Sequence, residues 1–490
     1  MTSFDSQTKW ILSVGLLVQF IFAITQVGFF HPDQHFQLIE FSSWQLGEPS
    51  GAASVWELKS QIRPTLQVYL LSGFVKTCQF FSIYDAYTQL TLLRIVFSVL
   101  ALVVFNLLGI YYFSSNKKLL YLVLLLLNFS WSLPYIRTLY SSEIACSIAF
   151  FGAILLYEQK KKQRFYVFLT GILFSVSFYC RFQIGFSLIG FGLWYLFIDR
   201  NYKSILPMLA GFGLGIGFNL FLDYQFYHQF VFTPYEYFRV NIVEGKAAEF
   251  GTSSFIWYIL ILALVIGTPP LSFFLFYSFL KGVVKQYQQP IVISVVFFIV
   301  GHCLVAHKEE RFMFPILNVL PLIAGWGLAG TSNSFPFFSK TNQYASRFVI
   351  VSSVSLTVLL LALFIILNPY YQAIEFTRKV VAKFEDTPTT IYCLRRTPFE
   401  TENHLPLTFY RKSASTIRLV TVTNVDSLKY IKNAWLATTY NDAKTDFPRL
   451  DSLGVEPSLF SSETLWNTNR FLQKKDINTI NEIWVLYRIK

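Results

Sequence analysis

Long apolar runs constrain this chain more than any other feature of its sequence. About eleven of them approach the length that crosses a lipid bilayer. They fall near 10–30, 89–113, 119–134, 142–157, 165–180, 183–198, 204–222, 254–280, 290–306, 312–330 and 347–367. Because a backbone inside a bilayer must satisfy its own hydrogen bonds, such runs fold as helices. The runs therefore predict an all-α polytopic membrane protein.

The charge content agrees with this class. Charged residues make up 14% of the chain, whereas a soluble domain has about a quarter. The net charge of +12 raises the question of nucleic acid, but Lys and Arg occur as short clusters between apolar runs, as cytoplasmic loop anchors do. No nucleic-acid partner is predicted. The five cysteines lack paired spacing, which argues against a disulfide framework or a thiolate metal site.

The junctions between runs are of two kinds. If the N-terminus is inside and the first run is a retained helix, every second junction carries a plain basic cluster, such as 160–164. The other junctions mix acids, histidines, single arginines and aromatics, at 31–45, 134–143, 179–183, 223–251 and 307–315. Ionisable groups at that depth are costly and usually serve a pathway or a site. The pattern predicts a functional site on the exoplasmic face.

The composition changes after residue 367, and this predicts two domains. Residues 1–367 form the transmembrane domain, with exoplasmic loops at 31–88 and 223–253. Residues 368–490 form a small exoplasmic α/β domain with predicted strands at 389–396, 415–423, 434–440 and 481–490. Helices are predicted at 425–433 and 461–475, the second capped by Ser462.

A His31-Pro32-Asp33 motif directly follows the first run. Pro32 suits the first turn of a helix, and the helix dipole there favours an ionised Asp33. Such a carboxylate at a membrane surface can act as general base toward a hydroxyl group. The alternative is an ordinary helix cap. Glu40 lies seven residues on, where a regular helix places it on the same face as Asp33. It either orients a substrate hydroxyl or is simply solvated.

A second motif, His307-Lys308-Glu309-Glu310-Arg311, opens another apolar run. Two acids and two bases in five residues can neutralise one another at the surface. The functional alternative uses Lys308 and Arg311 as cations for a phosphate or pyrophosphate, with a hydrogen bond from His307.

Arg137 and Arg181 each stand alone at the outer end of an apolar run. Snorkelling to the membrane surface is the default for such residues. The alternative is that they hold an anionic lipid headgroup. No P-loop, G-x-S-x-G, H-E-x-x-H or C-x-x-C motif occurs in the sequence. A nucleotide site on the cytoplasmic side therefore has no support.

The motifs resemble those of a known family. Two segments resemble motifs of the membrane α-mannosyltransferases (glycosyltransferase family 22), which build glycosylphosphatidylinositol anchors and dolichol-linked oligosaccharides. The first, HPDQHFQLIEFSSWQLG, resembles their H-P-D-E segment. The second, HKEERFMFPILNVLPLI, resembles their H-K-E-x-R-F-x-x-P segment. Looser signatures occur at Arg137-Thr138, Arg181-Phe182-Gln183 and 223–241. The resemblance covers about residues 10–330.

The resemblance implies a GT-C type fold and transfer of a mannosyl or other hexosyl residue with inversion. The implied partners are a polyprenyl-phosphate sugar donor, a glycan or glycolipid acceptor and membrane lipids. Asp33 is the implied base, and the implied substrate-binding residues are His31, Glu40, Arg137, Arg181, His307, Lys308, Glu309 and Arg311. No cofactor is expected; a divalent metal is compatible with the chemistry but not required.

Three departures from the family pattern bear on location. Position 34 is Gln where the family usually has Glu, residues 137–143 read RTLYSSE, and the tail after 370 is atypical of eukaryotic members. These features favour a bacterial inner membrane with a periplasmic site, the alternative being an endoplasmic reticulum membrane with a luminal site. The rival functions are a lipid-linked sugar transporter or flippase, although no related halves are visible, and a non-catalytic membrane scaffold.

Overall fold

The computed structural model describes residues 4–329, 343–367, 372–401, 403–444, 446–473 and 483–489. This part of the chain is mostly helical. Its longer helices in the apolar region are Ser6–Thr25, Leu66–Phe80, Ala86–Phe113, Lys117–Phe129, Ser142–Lys160, Arg164–Cys180, Gly185–Trp194, Ile205–Tyr227, Ile256–Val265, Leu271–Lys285, Pro290–Leu304, Leu320–Leu328 and Gln343–Leu367. Each predicted apolar run coincides with at least one of these helices.

Not every apolar run is one straight helix. The run predicted at 254–280 is divided into Ile256–Val265 and Leu271–Lys285, and Pro269 and Pro270 lie between them. Proline breaks a helix because it lacks the N–H group and its ring clashes with the preceding turn. Likewise, the segments Glu310–Leu317 and Leu320–Leu328 are bent by 58°.

By length and composition, five described helices can cross a membrane, and up to seven can when each of two bent pairs counts as one span. The class predicted from the apolar runs is thus supported, with fewer qualifying spans than eleven. Glycines bring two of the apolar helices, Arg164–Cys180 and Ile205–Tyr227, into close contact. A Cβ atom on Gly171 would collide with the Met208 carbonyl, and one on Gly211 with the Phe168 carbonyl.

The chain divides into two compact units. The first, the helical unit, comprises 1–23, 60–69 and 94–362. The second, the sheet unit, comprises 24–59, 70–93 and 363–490. The sheet unit thus contains both the C-terminal strands and most of the segment that follows the first helix, including the His31-Pro32-Asp33 motif.

Five strands form the sheet: β1 (Thr389–Leu394), β2 (Ile417–Val422), β3 (Ala434–Thr439), β4 (Glu456–Phe460) and β5 (Trp484–Ile489). Their order is β2-β1-β3-β5-β4. β1 is parallel to β2 and β3, and β5 is antiparallel to β3 and β4. A core that includes Leu436, Tyr440 and Trp466 packs beside the sheet.

Four of the strands were predicted and are confirmed. β4 was missed because it is short, mostly exposed and contains Pro457, so it lacks the alternating pattern of a strand. Ser462 caps the helix Glu463–Gln473 as predicted, its Oγ accepting the Leu465 N–H at 3.4 Å. The helix predicted at 425–433 is only a 3₁₀ turn, Val425–Leu428.

Candidate active site

The His31-Pro32-Asp33 motif begins a helix, as predicted. His31 is extended and precedes the short helix Pro32–Gln34, with its Nδ1 accepting the Asp33 N–H at 3.3 Å. Pro32 fits the first position because an N–H there would have no helical partner. The Asp33 carboxylate lies 3.5 Å from His31 Nδ1, and its side chain is 30% exposed. Asp33 therefore stays accessible at the start of the helix.

Gln34 occupies the position where the family that the motifs resemble usually has Glu. It is buried, and its Oε1 accepts the N–H of Phe30 at 3.0 Å. The side chain thus helps to hold the chain at the entrance to the helix. No second carboxylate accompanies Asp33 at this position.

Glu40 is fully buried in the sheet unit, and protein groups surround its carboxylate. Its Oε1 accepts from His35 Nε2 at 2.8 Å and from the Phe409 N–H at 3.0 Å. Its Oε2 accepts from the Gly51 N–H at 2.8 Å and from Ser50 Oγ at 3.3 Å. Burial raises the pKa of Glu40, but the hydrogen bond and charge of His35 and the two amides outweigh it, so the pKa lies below its ordinary value.

The helix changes its period before Glu40, and so Glu40 does not share the setting of Asp33. Residues His35–Glu40 form a π-helical turn, in which side chains five apart align. This turn brings His35 to Glu40, and it moves Glu40 away from the face that a regular helix predicts. The proposed contact of Glu40 with a substrate hydroxyl remains a prediction.

The helical unit holds a second group of charged residues, centred on Glu143. Glu143 lies in the first turn of the helix Ser142–Lys160 and is fully buried. Its Oε1 accepts from Arg181 Nη1 at 2.7 Å and lies 3.9 Å from Arg311 Nη1. Arg181 is also buried, and its Nε and Nη2 have no hydrogen-bond partner in the described part of the chain. Glu143 thus holds Arg181 by one nitrogen and leaves two open.

The 307–311 motif lies in the same unit and is largely paired within itself. The Glu309 carboxylate accepts from His307 Nε2 at 2.8 Å and from Arg311 Nε. His307 Nδ1 lies 2.8 Å from the Gly251 carbonyl oxygen, which ties the motif to the end of loop 223–253. The Phe312 ring lies 5.0 Å from the Arg181 guanidinium and 5.5 Å from that of Arg311. The phosphate role of His307 and Arg311 and the substrate contact of Glu309 stay predictions.

Lys308 contacts backbone carbonyl groups at the end of a helix. Its Nζ donates to the carbonyls of Cys303 and Val305, at the end of the helix Pro290–Leu304. Last-turn carbonyls lack helical partners, and a cation there also complements the helix dipole. Lys308 therefore caps this helix, and its contact with a substrate phosphate remains a prediction.

Arg137 is the most unusual of the predicted residues. Its side chain is fully buried, and Nε donates to Asn318 Oδ1 at 2.7 Å. Among the described residues, Nη1 and Nη2 have no hydrogen-bond partner and no carboxylate lies within ion-pair distance. Asn318 Nδ2 also has no partner in that set. The snorkelling expected of Arg137 and Arg181 does not describe either residue, because both are buried inside the protein.

Two residues of these groups were not singled out from the sequence. Glu143 had a usable signal, because an acid at the first turn of an apolar run needs a cation nearby. Asn318 had none, since one Asn among apolar residues is unremarkable. The structure brings Glu143, Arg181, His307, Glu309 and Arg311 together in the helical unit. His31, Asp33 and Glu40 belong to the sheet unit.

The fold matches that of a solved structure. ArnT from Cupriavidus metallidurans bound to undecaprenyl phosphate aligns with a TM-score of 0.56 and 12% identity, over 98% of this chain and 97% of that chain. Its apo state aligns with a TM-score of 0.53 and 11% identity, over 99% and 98% of the two chains. Identity this low shows the fold alone. Together with its apolar helices, the fold defines the protein as an integral membrane protein of the GT-C type.

The sequence places the chain within that class. The profile of the Alg9-like mannosyltransferase family matches residues 10–398, and the chain belongs to this family. The resemblance drawn from the motifs is thereby confirmed. GPI mannosyltransferase 3 from Drosophila melanogaster is 23% identical over 62% of this chain and 54% of its own length. Mannosyltransferase APTG1 from Arabidopsis thaliana is 24% identical over 28% of this chain and 25% of its own length. The chain thus spans from a quarter to about half of these relatives.

Proposed function

We propose that this protein is a membrane glycosyltransferase that transfers a mannosyl residue from a polyprenyl-phosphate donor to a glycan or glycolipid acceptor. The proposal combines membership of the Alg9-like mannosyltransferase family with one structural observation. That observation is Arg137, a buried guanidinium whose Nη1 and Nη2 have no hydrogen-bond partner among the described residues.

A buried cation without an opposite charge beside it is costly, and the Phe105 ring, 5.9 Å from the Arg137 guanidinium, offsets only part of that cost, so Arg137 favours a bound anion. Burying an uncompensated cation in an apolar interior is paid for only by hydrogen bonds and an opposite charge. A phosphate supplies both, and guanidinium groups bind phosphate with paired hydrogen bonds. The open Nδ2 of Asn318 adds a neutral donor beside Arg137. Arg181, with two open nitrogens, is the second candidate contact in the same unit.

The chemistry needs one base and one stabilised leaving group. An acceptor hydroxyl oxygen attacks C1 of the mannosyl group from the face opposite the phosphate, and its proton passes to the Asp33 carboxylate. The bond between C1 and the phosphate oxygen breaks, and polyprenyl phosphate leaves with the bonding electrons. Attack from the opposite face inverts the configuration at C1. A positioned base contributes about 10²–10⁴-fold to such a rate, and fixed cations stabilise the developing phosphate charge.

The relatives support the donor class. ArnT was solved with undecaprenyl phosphate, and the related enzymes are named mannosyltransferases. We place the site on the exoplasmic face, in an arrangement of about eleven spans, because the motif-bearing junctions alternate with the basic ones. A bacterial inner membrane is our preferred location, with the endoplasmic reticulum as the alternative.

The test is transfer by the purified protein in lipid nanodiscs. With polyprenyl-phosphate [³H]mannose and a pool of lipid-linked glycans, we expect labelled acceptor and released polyprenyl phosphate in equal amounts. A nucleotide-activated mannose supplied as the only donor should give no product. Movement of the donor between leaflets without transfer would instead favour a flippase. Labelling of cysteines introduced in 31–45 from the cytoplasmic side would contradict the proposed topology.

A further inference from the structure

A C-terminal segment of the sheet unit packs against the segment that carries Asp33. This docking segment, residues 406–413, lies between β1 and β2 and includes the short helix Thr408–Arg411. Its contacts reach residues 35–51 and the start of the helix Ala86–Phe113, all within the sheet unit. The proposed chemistry assigns none of these contacts a role.

The first contact is a hydrogen bond to Glu40. The Phe409 N–H lies near the start of the short helix Thr408–Arg411, where a backbone donor has no helical partner. It donates to Glu40 Oε1 at 3.0 Å, and the same oxygen accepts from His35. Because Glu40 and Phe409 are both buried, the loss of either group would leave the other unsatisfied in the interior.

The second contact is a stack of rings on His35. The Tyr410 ring lies 5.5 Å from the His35 ring at 9° and 5.1 Å from the Tyr87 ring. Phe29 stacks on His35 at 5.1 Å and 25°. His35 is thus fixed by Glu40 at one ring nitrogen and enclosed by aromatic rings. His35 lies two residues after Asp33, in the helical turn that directly follows the short helix Pro32–Gln34.

Further contacts hold the docking segment from three sides. Gly51 packs so closely that a Cβ atom there would collide with the Pro406 carbonyl oxygen. Lys412 Nζ lies 3.3 Å from Glu48 Oε2. Ser413 Oγ accepts the Ala86 N–H at 2.8 Å, at the first residue of a long apolar helix.

We infer that the docking segment positions Asp33 for transfer, with Phe409 and Tyr410 as positioning residues that act through Glu40 and His35. This gives the C-terminal sheet region a role in catalysis without contact with substrate. The inference rests on the proposed function of Asp33 as base. A displacement of about 1 Å at a reacting group can cost about 10²-fold in rate, so a loosened segment should slow the chemical step.

The test uses the full-length protein and four variants. Tyr410→Ala removes the ring that stacks on His35, whereas Tyr410→Phe keeps it. Gly51→Ala inserts a methyl group against Pro406 without altering a charge. Gly73→Ala is the matched control, because a Cβ atom at Gly73 meets nothing within 4 Å. Each protein is assayed for kcat, for donor KM, and for hydrogen exchange of the peptide that covers 31–45.

We expect Tyr410→Ala and Gly51→Ala to lower kcat by roughly tenfold to a hundredfold. Donor KM should stay near that of the wild type, and exchange in 31–45 should speed up. Tyr410→Phe and Gly73→Ala should match the wild type in all three measurements. Because Tyr410→Ala and Gly51→Ala can both lower stability, the kcat of each variant is referred to its folded fraction, measured by thermal melting in the same detergent.

Unchanged exchange in both Gly51→Ala and Tyr410→Ala would overturn the inference, as would faster exchange with an unchanged kcat. A raised donor KM with normal kcat would also overturn it, because the docking segment would then serve binding. If the wild type transfers no mannose from any lipid-phosphate donor, the proposed function fails instead. The exchange data would in that case still report whether the docking segment holds 31–45.

Discussion

Glu40 and Arg137 are both fully buried ionisable residues, but the surrounding protein treats them differently. Protein donors from three segments surround the Glu40 carboxylate, namely the His35 ring and the backbone amides of Gly51 and Phe409. Arg137 has one hydrogen bond, to a neutral amide, and two nitrogens without a partner among the described residues. A saturated buried charge stabilises the segments that it joins, whereas an unsaturated one is costly until something else binds.

Between these extremes lies Glu143. It pairs with Arg181 as Glu40 pairs with His35, yet Arg181 keeps two open nitrogens. Some buried charged groups therefore stabilise the fold, whereas others have hydrogen-bonding capacity left for a ligand. The sequence motifs contain residues of both kinds, so membership of a motif does not by itself assign a role.

Asp33 provides the largest expected effect. Asp33→Asn keeps the size of the side chain and removes the base, so transfer should fall by about 10²–10⁴-fold. Thermal stability should be nearly unchanged, because this carboxylate is partly exposed. Transfer from polyprenyl-phosphate mannose and a melting curve in the same detergent measure the two quantities. Retention of full activity would remove Asp33 as the base.

Arg137 tests whether a buried cation with unsatisfied nitrogens serves to bind the donor phosphate. Arg137→Gln should reduce kcat/KM for the lipid-phosphate donor by about 10²–10³-fold, as the loss of one charge-stabilising group does in other enzymes. Stability should hold or rise, because an uncompensated buried charge is removed. Arg164→Gln, at an exposed arginine, is the control and should leave donor kinetics unchanged. A large loss of stability with normal kinetics would instead assign Arg137 to the fold.

The sequence predicted much of the fold because apolar length and strand alternation are local signals. It placed helices along every long run and four of the five strands of the sheet. It did not predict that Glu40 is buried, because a π-helical turn shifts the residue around the helix and the Phe409 amide comes from a point 369 residues away. Likewise, no pattern along the chain records that Nη1 and Nη2 of Arg137 have no hydrogen-bond partner among the described residues.

Glu143 tests how much its buried ion pair with Arg181 contributes to the stability of the protein. Glu143→Gln leaves Arg181 buried without its carboxylate, and breaking a buried pair in this way costs about 3–5 kcal/mol. Glu249→Gln breaks the exposed pair with Lys246 in the same unit and should cost less than about 1 kcal/mol. Denaturation in detergent measures both. Equal losses in the two variants would mean that the Glu143 pair is no stronger than a surface pair.

The smallest expected effect is the pH dependence that Glu40 contributes. Its pKa is lower in the fold than in the unfolded chain, so the folded state binds that proton less tightly. The stabilisation is therefore complete above the ordinary carboxyl range, about pH 4.3, and is lost as pH falls through the lower folded value. Melting temperatures of the wild type and Glu40→Gln, measured from about pH 7 downward, should converge as the solution becomes acidic. A gap between them that stays constant down to the acid limit of the folded protein would show that the charge of Glu40 adds nothing to what its hydrogen bonds provide.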